Sequence, residues 1–267
     1  IIPCMKTSII VTTAMGLEAV LKRELLDLGY RDLIVEDGKI ELEGDLTTIC
    51  HLNIWLRTAG RIYLKMGTFF ADDFDALFDN TAELEWEKWI GKNDIFPIYK
   101  VSSKNSVLHS KSQCQAIVKK AIVTRLQKKH NVVSLPEYGN EFPIRLQINK
   151  NQVTLSIDTT GQSLSKRGYR AHMDIAPIRE TLAAGLVYLS RWRAEEDELI
   201  DPMCGSGTIL IEAAMIGKNI APGLNRGFLS ENWPMIPKKL WENTQEDALS
   251  KIKTDADFKV YGSDTNH

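Results

Sequence analysis

The run Leu199-Ile-Asp-Pro-Met-Cys-Gly-Ser-Gly-Thr-Ile-Leu-Ile-Glu-Ala-Ala214 constrains this chain more than any other, because it spells a strand, a glycine turn and a helix in immediate succession. Leu199 and Ile200 close a short apolar run, Pro202 ends regular pairing, and Gly205 and Gly207 admit backbone angles and a close approach that a side chain forbids. From Thr208 onward, Ile209, Ile211, Ala213, Ala214 and Met215 make an apolar helix whose first amides point back into the turn. Free amides and the helix dipole favour a carboxylate or phosphate there. The end of a parallel strand is also where open α/β sheets place their ligands.

Which ligand the turn suits is narrowed by what is missing. A dinucleotide fingerprint needs a third glycine three residues after the second, and Leu210 stands there. A P-loop needs Gly-Lys-Ser/Thr, and no lysine follows Gly207. A nucleotide-dependent oxidoreductase is discounted with them. A tight strand-to-helix turn of any α/β domain accounts for a bare Gly-x-Gly but poorly for the whole string Asp201-Pro-Met-Cys-Gly-Ser-Gly-Thr208. That string resembles motif I of class I S-adenosylmethionine-dependent methyltransferases, in the variant of RNA and DNA amino-methylating enzymes. The resemblance implies S-adenosylmethionine as cofactor, its methionine end held by Asp201, Pro202, Cys204, Gly205, Ser206, Gly207 and Thr208.

At 267 residues the chain exceeds one typical domain. Its net charge of −2 indicates no particular partner, yet the average conceals a segment. From Ile95 through Pro136 there is no Asp or Glu, while Lys100, Lys104, Lys111, Lys119, Lys120, Arg125, Lys128 and Lys129 lie within it. A polyanion suits such a face, whereas a solvated helix surface accounts for one basic helix taken alone. No apolar run approaches the roughly 18 residues of a membrane span, and the start lacks a secretory pattern. Cys4, Cys50, Cys114 and Cys204 are scattered, so neither a disulfide framework nor a metal site is indicated. A reducing cytoplasm is the expected compartment.

Three regions separate: residues 1–71, 72–158 and 159–267. In the first, strands are expected at Ser8–Thr13, Leu33–Glu36, Lys39–Glu43 and Ile62–Phe69, and helices at Leu17–Leu28 and Leu46–Leu56, with an Asp37-Gly38 hairpin turn. The order β-α-β-β-α-β suggests a ferredoxin-like unit. The second has short helical pieces around Trp86 and Trp89, a strand near Phe96–Val101 and a long helix from Ser112 to Lys129. Cys114, Ile117, Val118, Ala121, Ile122 and Leu126 form that helix's buried stripe. Strands Ile144–Asn149 and Gln152–Asp158 meet at Lys150-Asn151 in a hairpin.

The stretch from Val101 through Gln115 into Ile117–Ile122 resembles the core of a THUMP domain, an RNA-binding module coupled to RNA-modifying enzymes. It implies a grip on structured RNA, chiefly through phosphates and shape, with Lys104, Asn105, His109, Lys111, Lys119 and Lys120 as contacts. His109 lacks an acid partner nearby in sequence and reads as a surface residue rather than a catalyst.

The third region opens with Leu164-Ser-Lys-Arg-Gly-Tyr-Arg170 and Ala176-Pro-Ile-Arg-Glu-Thr-Leu-Ala-Ala184. Pro177 suits a first helical turn, and Ile178, Leu182, Leu186 and Leu189 trace an apolar face able to pack on a sheet. The placement is similar to motif X of the same methyltransferases, which implies pocket roles for Arg170, Pro177 and Glu180; a purely structural role is the other reading. After the motif I helix, Lys218–Arg226 and Trp233-Pro234 continue the match. Together these blocks resemble the THUMP-containing 23S ribosomal RNA N2-guanine methyltransferases of bacteria, the RlmL/YpsC group. The implied fold is α/β with an α+β N-terminal part: a ferredoxin-like unit, a THUMP domain and the start of a Rossmann-like methyltransferase domain. Phe258–Asp264 would be a strand ending in the acid that takes the cofactor's ribose hydroxyls, Asp264.

Methylating an exocyclic amine needs an acceptor for its NH2 and an aromatic surface for the extruded base. In the resembled family an Asn/Asp-Pro-Pro-Tyr/Phe loop supplies both, and no Pro-Pro pair occurs here. Cys204, inside the cofactor turn, reads as packing rather than nucleophile. No catalytic residue is therefore assigned; the expectation is that the loop lies beyond His267, since a sheet of two parallel strands leaves its helices uncovered. An RNA-binding module without chemistry is the competing function.

Overall fold

The computed structural model describes residues 6–170 and 177–265. Its elements are β1 (Thr7–Thr13), α1 (Glu18–Asp27), β2 (Ile34–Glu36), β3 (Lys39–Gly44), α2 (Leu46–Trp55), β4 (Ala59–Phe70), α3 (Phe74–Glu83), β5 (Ile98–Lys104), α4 (Lys111–His130), β6 (Ile144–Asn149), β7 (Gln152–Asp158), α5 (Glu180–Ser190), β8 (Glu198–Asp201), α6 (Thr208–Gly217), α7 (Lys238–Ser250) and β9 (Lys259–Gly262). They group into two compact units. One holds residues up to Ile62 with Gln162–Glu231 and Pro237 onward. The other holds Tyr63–Gly161 with Asn232–Ile236.

In the first unit the strand order is β2-β3-β1 followed by the start of β4, the ferredoxin-like arrangement. The Asp37-Gly38 turn forms as expected because Gly38 takes φ +71° at a position that disfavours a side chain. Alternation on β1 buries Ile9 and Val11, and the uniformly apolar centre also buries Ile10. Asp45 starts α2 by accepting from the Thr48 N–H at 2.8 Å, while Thr48 Oγ1 accepts from the Asp45 N–H at 3.2 Å. The C-terminal elements of this unit add β8 and β9, paired in parallel, with α5 packed on α6 and α7 on α2.

Pro177 does not sit in the first turn of α5. The helix begins three residues later, at Glu180, with Arg179 extended as its cap. The Glu180 carboxylate, held by Arg170 at 3.1 Å, lies at the positive end of the helix dipole and marks the start. Of the face traced in the sequence, Leu182, Leu186 and Leu189 are exposed, Leu186 lining a cleft beside β8, while Ala183, Ala184 and Val187 are buried. Gly185 of α5 meets Leu17, the residue that precedes α1, so tightly that a Cβ would lie 2.9 Å from the leucine.

The second unit orders its strands β4-β7-β6-β5, with β6 and β7 antiparallel and β5 parallel to β6. Alternation in β6 buries Ile144, Leu146 and Ile148, and α4 buries its predicted stripe of Cys114, Val118, Ala121, Ile122 and Leu126; Ile117 lies at its half-buried margin. Trp233 stacks on Phe142 with centroids 4.6 Å apart and donates through its indole N–H to the Glu141 carbonyl at 3.0 Å. This explains why residues 232–236 belong to this unit.

Arg125 of α4 forks onto Glu87, Nε to Oε2 at 2.9 Å and Nη2 to Oε1 at 2.6 Å. That hydrogen-bonded guanidinium holds the Glu87 carboxyl down to about 2, from an ordinary 4.5. Because the folded value lies below the unfolded one, the pair's contribution is complete above about pH 4.5 and disappears as pH falls through about 2. Glu87→Gln is expected to cost roughly 1–3 kcal/mol at pH 7 and to flatten the acid limb of stability. Urea unfolding of both proteins at neutral and acid pH measures this, and parallel pH profiles would refute it.

Candidate cofactor site and nucleic-acid face

The glycine turn is assembled as its sequence implies. β8 ends at Asp201, whose carbonyl accepts from the Ser263 N–H at 3.0 Å and whose Oδ1 accepts from the Met203 N–H at 3.1 Å. The second contact is an Asx turn that aims the chain out of the strand at Pro202. Gly205 and Gly207 take φ +51° and +75°, and a Cβ at either would meet no atom within 4 Å. The left-handed backbone, not crowding, thus demands glycine, and the space above the loop is open. α6 follows from Thr208, so its leading N–H groups lack intrahelical partners and face this space. A cleft of about 560 Å³ runs beside β8, lined by Leu186, Val187, Ile200, Asp201 and Ile209 among others.

Two separate segments converge on the turn. Asp264, just beyond β9, accepts from the Gly205 N–H through Oδ2 at 2.8 Å. Its carboxylate therefore reaches the same loop as Asp201. Arg170 donates through Nη1 to Ser206 Oγ at 3.3 Å, through Nη2 to Thr208 Oγ1 at 3.0 Å and through Nε to Glu180 at 3.1 Å. One guanidinium thereby joins α5 to the glycine turn, its charge balanced by Glu180. Glu180, 6% exposed, is committed to that ion pair, and Pro177 is exposed. Cys204 is half-buried, its Sγ 3.0 Å from where a Gly262 Cβ would sit; it packs the turn against β9.

Sequence reasoning missed what supports α6 from beneath. Glu212 is fully buried and accepts from Arg167 Nε at 3.3 Å and Nη2 at 3.4 Å and from the Tyr169 hydroxyl at 3.0 Å. Arg167 also donates to the Leu164 carbonyl at 2.7 Å and to the Arg57 carbonyl at 2.5 Å. The peptide after that carbonyl is tied down in turn, since the Glu24 carboxylate accepts from the N–H groups of Arg57 and Thr58 at 2.6 and 3.1 Å. Burial pushes the Glu24 carboxyl up despite these donors. A glutamate inside the apolar string Ile209–Met215 was the available signal.

In the second unit the basic segment is less free than its composition implies. Lys119 donates to both Glu137 oxygens at 2.8 and 3.0 Å and lies 3.5 Å from the Phe96 ring centroid. Arg125 and Lys129 face Glu87. The acids come from outside the acid-free stretch, which is why the sequence count overstates the exposed charge. Lys120 is exposed, its ammonium 5.8 Å from the Phe78 ring centroid. Lys104, Asn105, His109 and Lys111 are exposed at the β5–α4 connection, Asn105 at φ +50°. The His109 ring is 2.8 Å from the Val107 carbonyl.

A parallel strand, an open glycine turn with acids at two strand ends, and a helix starting over it define a Rossmann-like methyltransferase domain. Family models agree along the chain: an RlmL ferredoxin-like domain over residues 8–63, a THUMP domain over 71–158 and an RMKL-like methyltransferase domain over 167–267. YpsC of Bacillus subtilis (strain 168), which bears the name of an RNA methyltransferase, is 44% identical over 98% of this chain and 68% of its own length. The ribosomal RNA large subunit methyltransferase K/L of Buchnera aphidicola from Acyrthosiphon pisum is 34% identical over 91% of this chain, which spans 35% of it. The crystal structure of SMU.472, described as a methyltransferase complexed with SAH, superposes with a TM-score of 0.93 at 42% identity, over 98% of this chain and 69% of that one. The chain belongs to the THUMP-containing, RMKL-like methyltransferase family that includes YpsC. Among the described residues no helix is long and apolar enough to cross a membrane.

Proposed function

We propose that this chain supplies the cofactor-binding and RNA-binding parts of a cytoplasmic S-adenosylmethionine-dependent methyltransferase acting on guanine N2 of 23S ribosomal RNA. The observation that carries the reading is the convergence of Asp201, Asp264 and Arg170 on one open glycine turn at a helix start. The donor set fits the cofactor: a carboxylate for its ammonium, amides and a guanidinium for its carboxylate, and a second carboxylate for its ribose hydroxyls. When bound, S-adenosylmethionine supplies a methyl group on an electrophilic sulfonium. Asp201 then orients the methionine end, Asp264 the ribose, and α6 holds both in register, so acceleration comes from positioning. SMU.472 with SAH supports the cofactor, and the names of YpsC and the K/L enzyme support an RNA, specifically ribosomal, substrate. Guanine N2 rests on the family resemblance of the motif strings.

Isothermal titration with S-adenosylhomocysteine is expected to show one site, lost in Asp201→Ala, and absence of binding would overturn the cofactor reading. Incubating the whole protein with 23S RNA and labelled S-adenosylmethionine should yield N2-methylguanosine on nucleoside analysis. A different methylated nucleoside would sink the finer assignment. The exposed Lys104, Lys111 and Lys120 carry a second reading, RNA binding without chemistry by these residues. RNA affinity with no methyl transfer by the whole protein would select it.

A further inference from the structure

Asn151 gathers three ends of the second unit into one exposed tip. It turns the β6–β7 hairpin at φ +61°. Its carbonyl accepts from the Ala71 N–H at 2.9 Å, its side-chain oxygen from the Val107 N–H at 2.8 Å, and its N–H donates to Ser106 Oγ at 3.0 Å. The adjacent Lys150 N–H donates to the Lys104 carbonyl at 3.1 Å. The end of β4, the β5–α4 loop and the hairpin turn are thus bonded together.

This tip presents an unusual surface. Phe70 and Val107 are 55% and 60% exposed, two apolar side chains that folding leaves in water. Lys104 lies in the same cross-sheet row as Phe70, through Gln152 and Asn149, and Lys150 in the adjoining turn; both are exposed, and neither is paired with a carboxylate among the described residues. Of the nearby acids, Asp73 spends its carboxylate capping α3 and Asp72 remains exposed. The charge is complementary to phosphates, and the exposed ring to a base face. A duplex hides its base faces and keeps its major groove too narrow for side chains, whereas unpaired nucleotides offer both groups together.

We infer that this tip grips unpaired nucleotides of the RNA, with Phe70 as stacking platform and Lys104 and Lys150 on the flanking phosphates. The inference rests on the RNA reading above and adds a face and a substrate class to it: loops, bulges or single-stranded ends.

Fluorescence anisotropy of the whole protein with a looped RNA and with a fully paired duplex tests it. Phe70→Ala is expected to weaken looped RNA roughly ten-fold and leave the duplex nearly unchanged, while Phe70→Trp retains binding. Replacing Lys104 and Lys150 together by Ala should flatten the slope of log affinity against log salt by about 1.4, at roughly 0.7 per single-strand phosphate. Unchanged melting temperatures separate these effects from misfolding, and the lysine variant serves should Phe70→Ala fail to fold. Looped-RNA affinity unaffected by Phe70→Ala, an equal loss on both RNAs, or an unchanged salt slope in the lysine variant would overturn the tip while leaving the RNA reading standing. Wild-type protein that binds neither RNA would overturn both.

Discussion

Glu212→Ala is expected to cost about 3–5 kcal/mol of stability, the usual consequence of leaving one member of a buried ion pair alone. Arg167 is 2% exposed and Glu212 fully buried, so water cannot replace the lost carboxylate. The substitution strands the guanidinium and the Tyr169 hydroxyl together. It also frees α6, whose first turn forms the floor of the glycine turn. Urea denaturation followed by tryptophan fluorescence measures the cost, and a loss under about 1 kcal/mol would show that the pair is not as dry as its burial implies. Replacing both partners by apolar residues of similar volume, Arg167→Met with Glu212→Leu, should recover much of the loss, because desolvation of the two charges is removed with their attraction.

The second large effect is on cofactor affinity. Asp201→Ala removes both the charge and the acceptor for the Met203 N–H. Asp201→Asn removes the charge and keeps the acceptor. S-adenosylhomocysteine affinity is expected to fall on the order of 100-fold in the first and less in the second, from losing a charge-assisted bond with or without its turn. Gly207→Val should be comparably severe. Although a Cβ has room there, a β-branched residue at φ +75° strains the backbone, and its methyl groups enter the open space above the turn where the cofactor is proposed to bind. Titration calorimetry reads all three. If Gly207→Val bound as tightly as wild type, the ligand would not lie over this turn.

Legibility followed the range of the interaction. The Asp37-Gly38 hairpin, the β6–β7 pair and the α6 start were readable because a turn residue or an alternation a few positions long decides each. The α5 face was not: leucines at helical spacing signal an apolar stripe. Among the described residues burial falls on Ala183, Ala184 and Val187, while Leu186 lines the cleft beside β8, which has no strand on that side here. The acid-free basic segment likewise lost Lys119, Arg125 and Lys129 to Glu137 and Glu87, acids that lie outside it in sequence.

By itself the sequence determined the glycine turn from Asp201 to Thr208, since glycines, a strand-ending acid and an apolar helix are all local requirements written in consecutive residues. It likewise determined the ferredoxin-like and THUMP-type order of elements. Only the tertiary structure decided that Asp264 reaches the Gly205 amide, that Arg170 bridges Glu180 to the turn, and that Phe70, Val107 and Lys150 share one tip with Lys104. Each is a contact between residues tens of positions apart, set by strand register and helix packing. Hydrogen bonds and ion pairs act over a few ångströms of space, and sequence spacing does not report that distance.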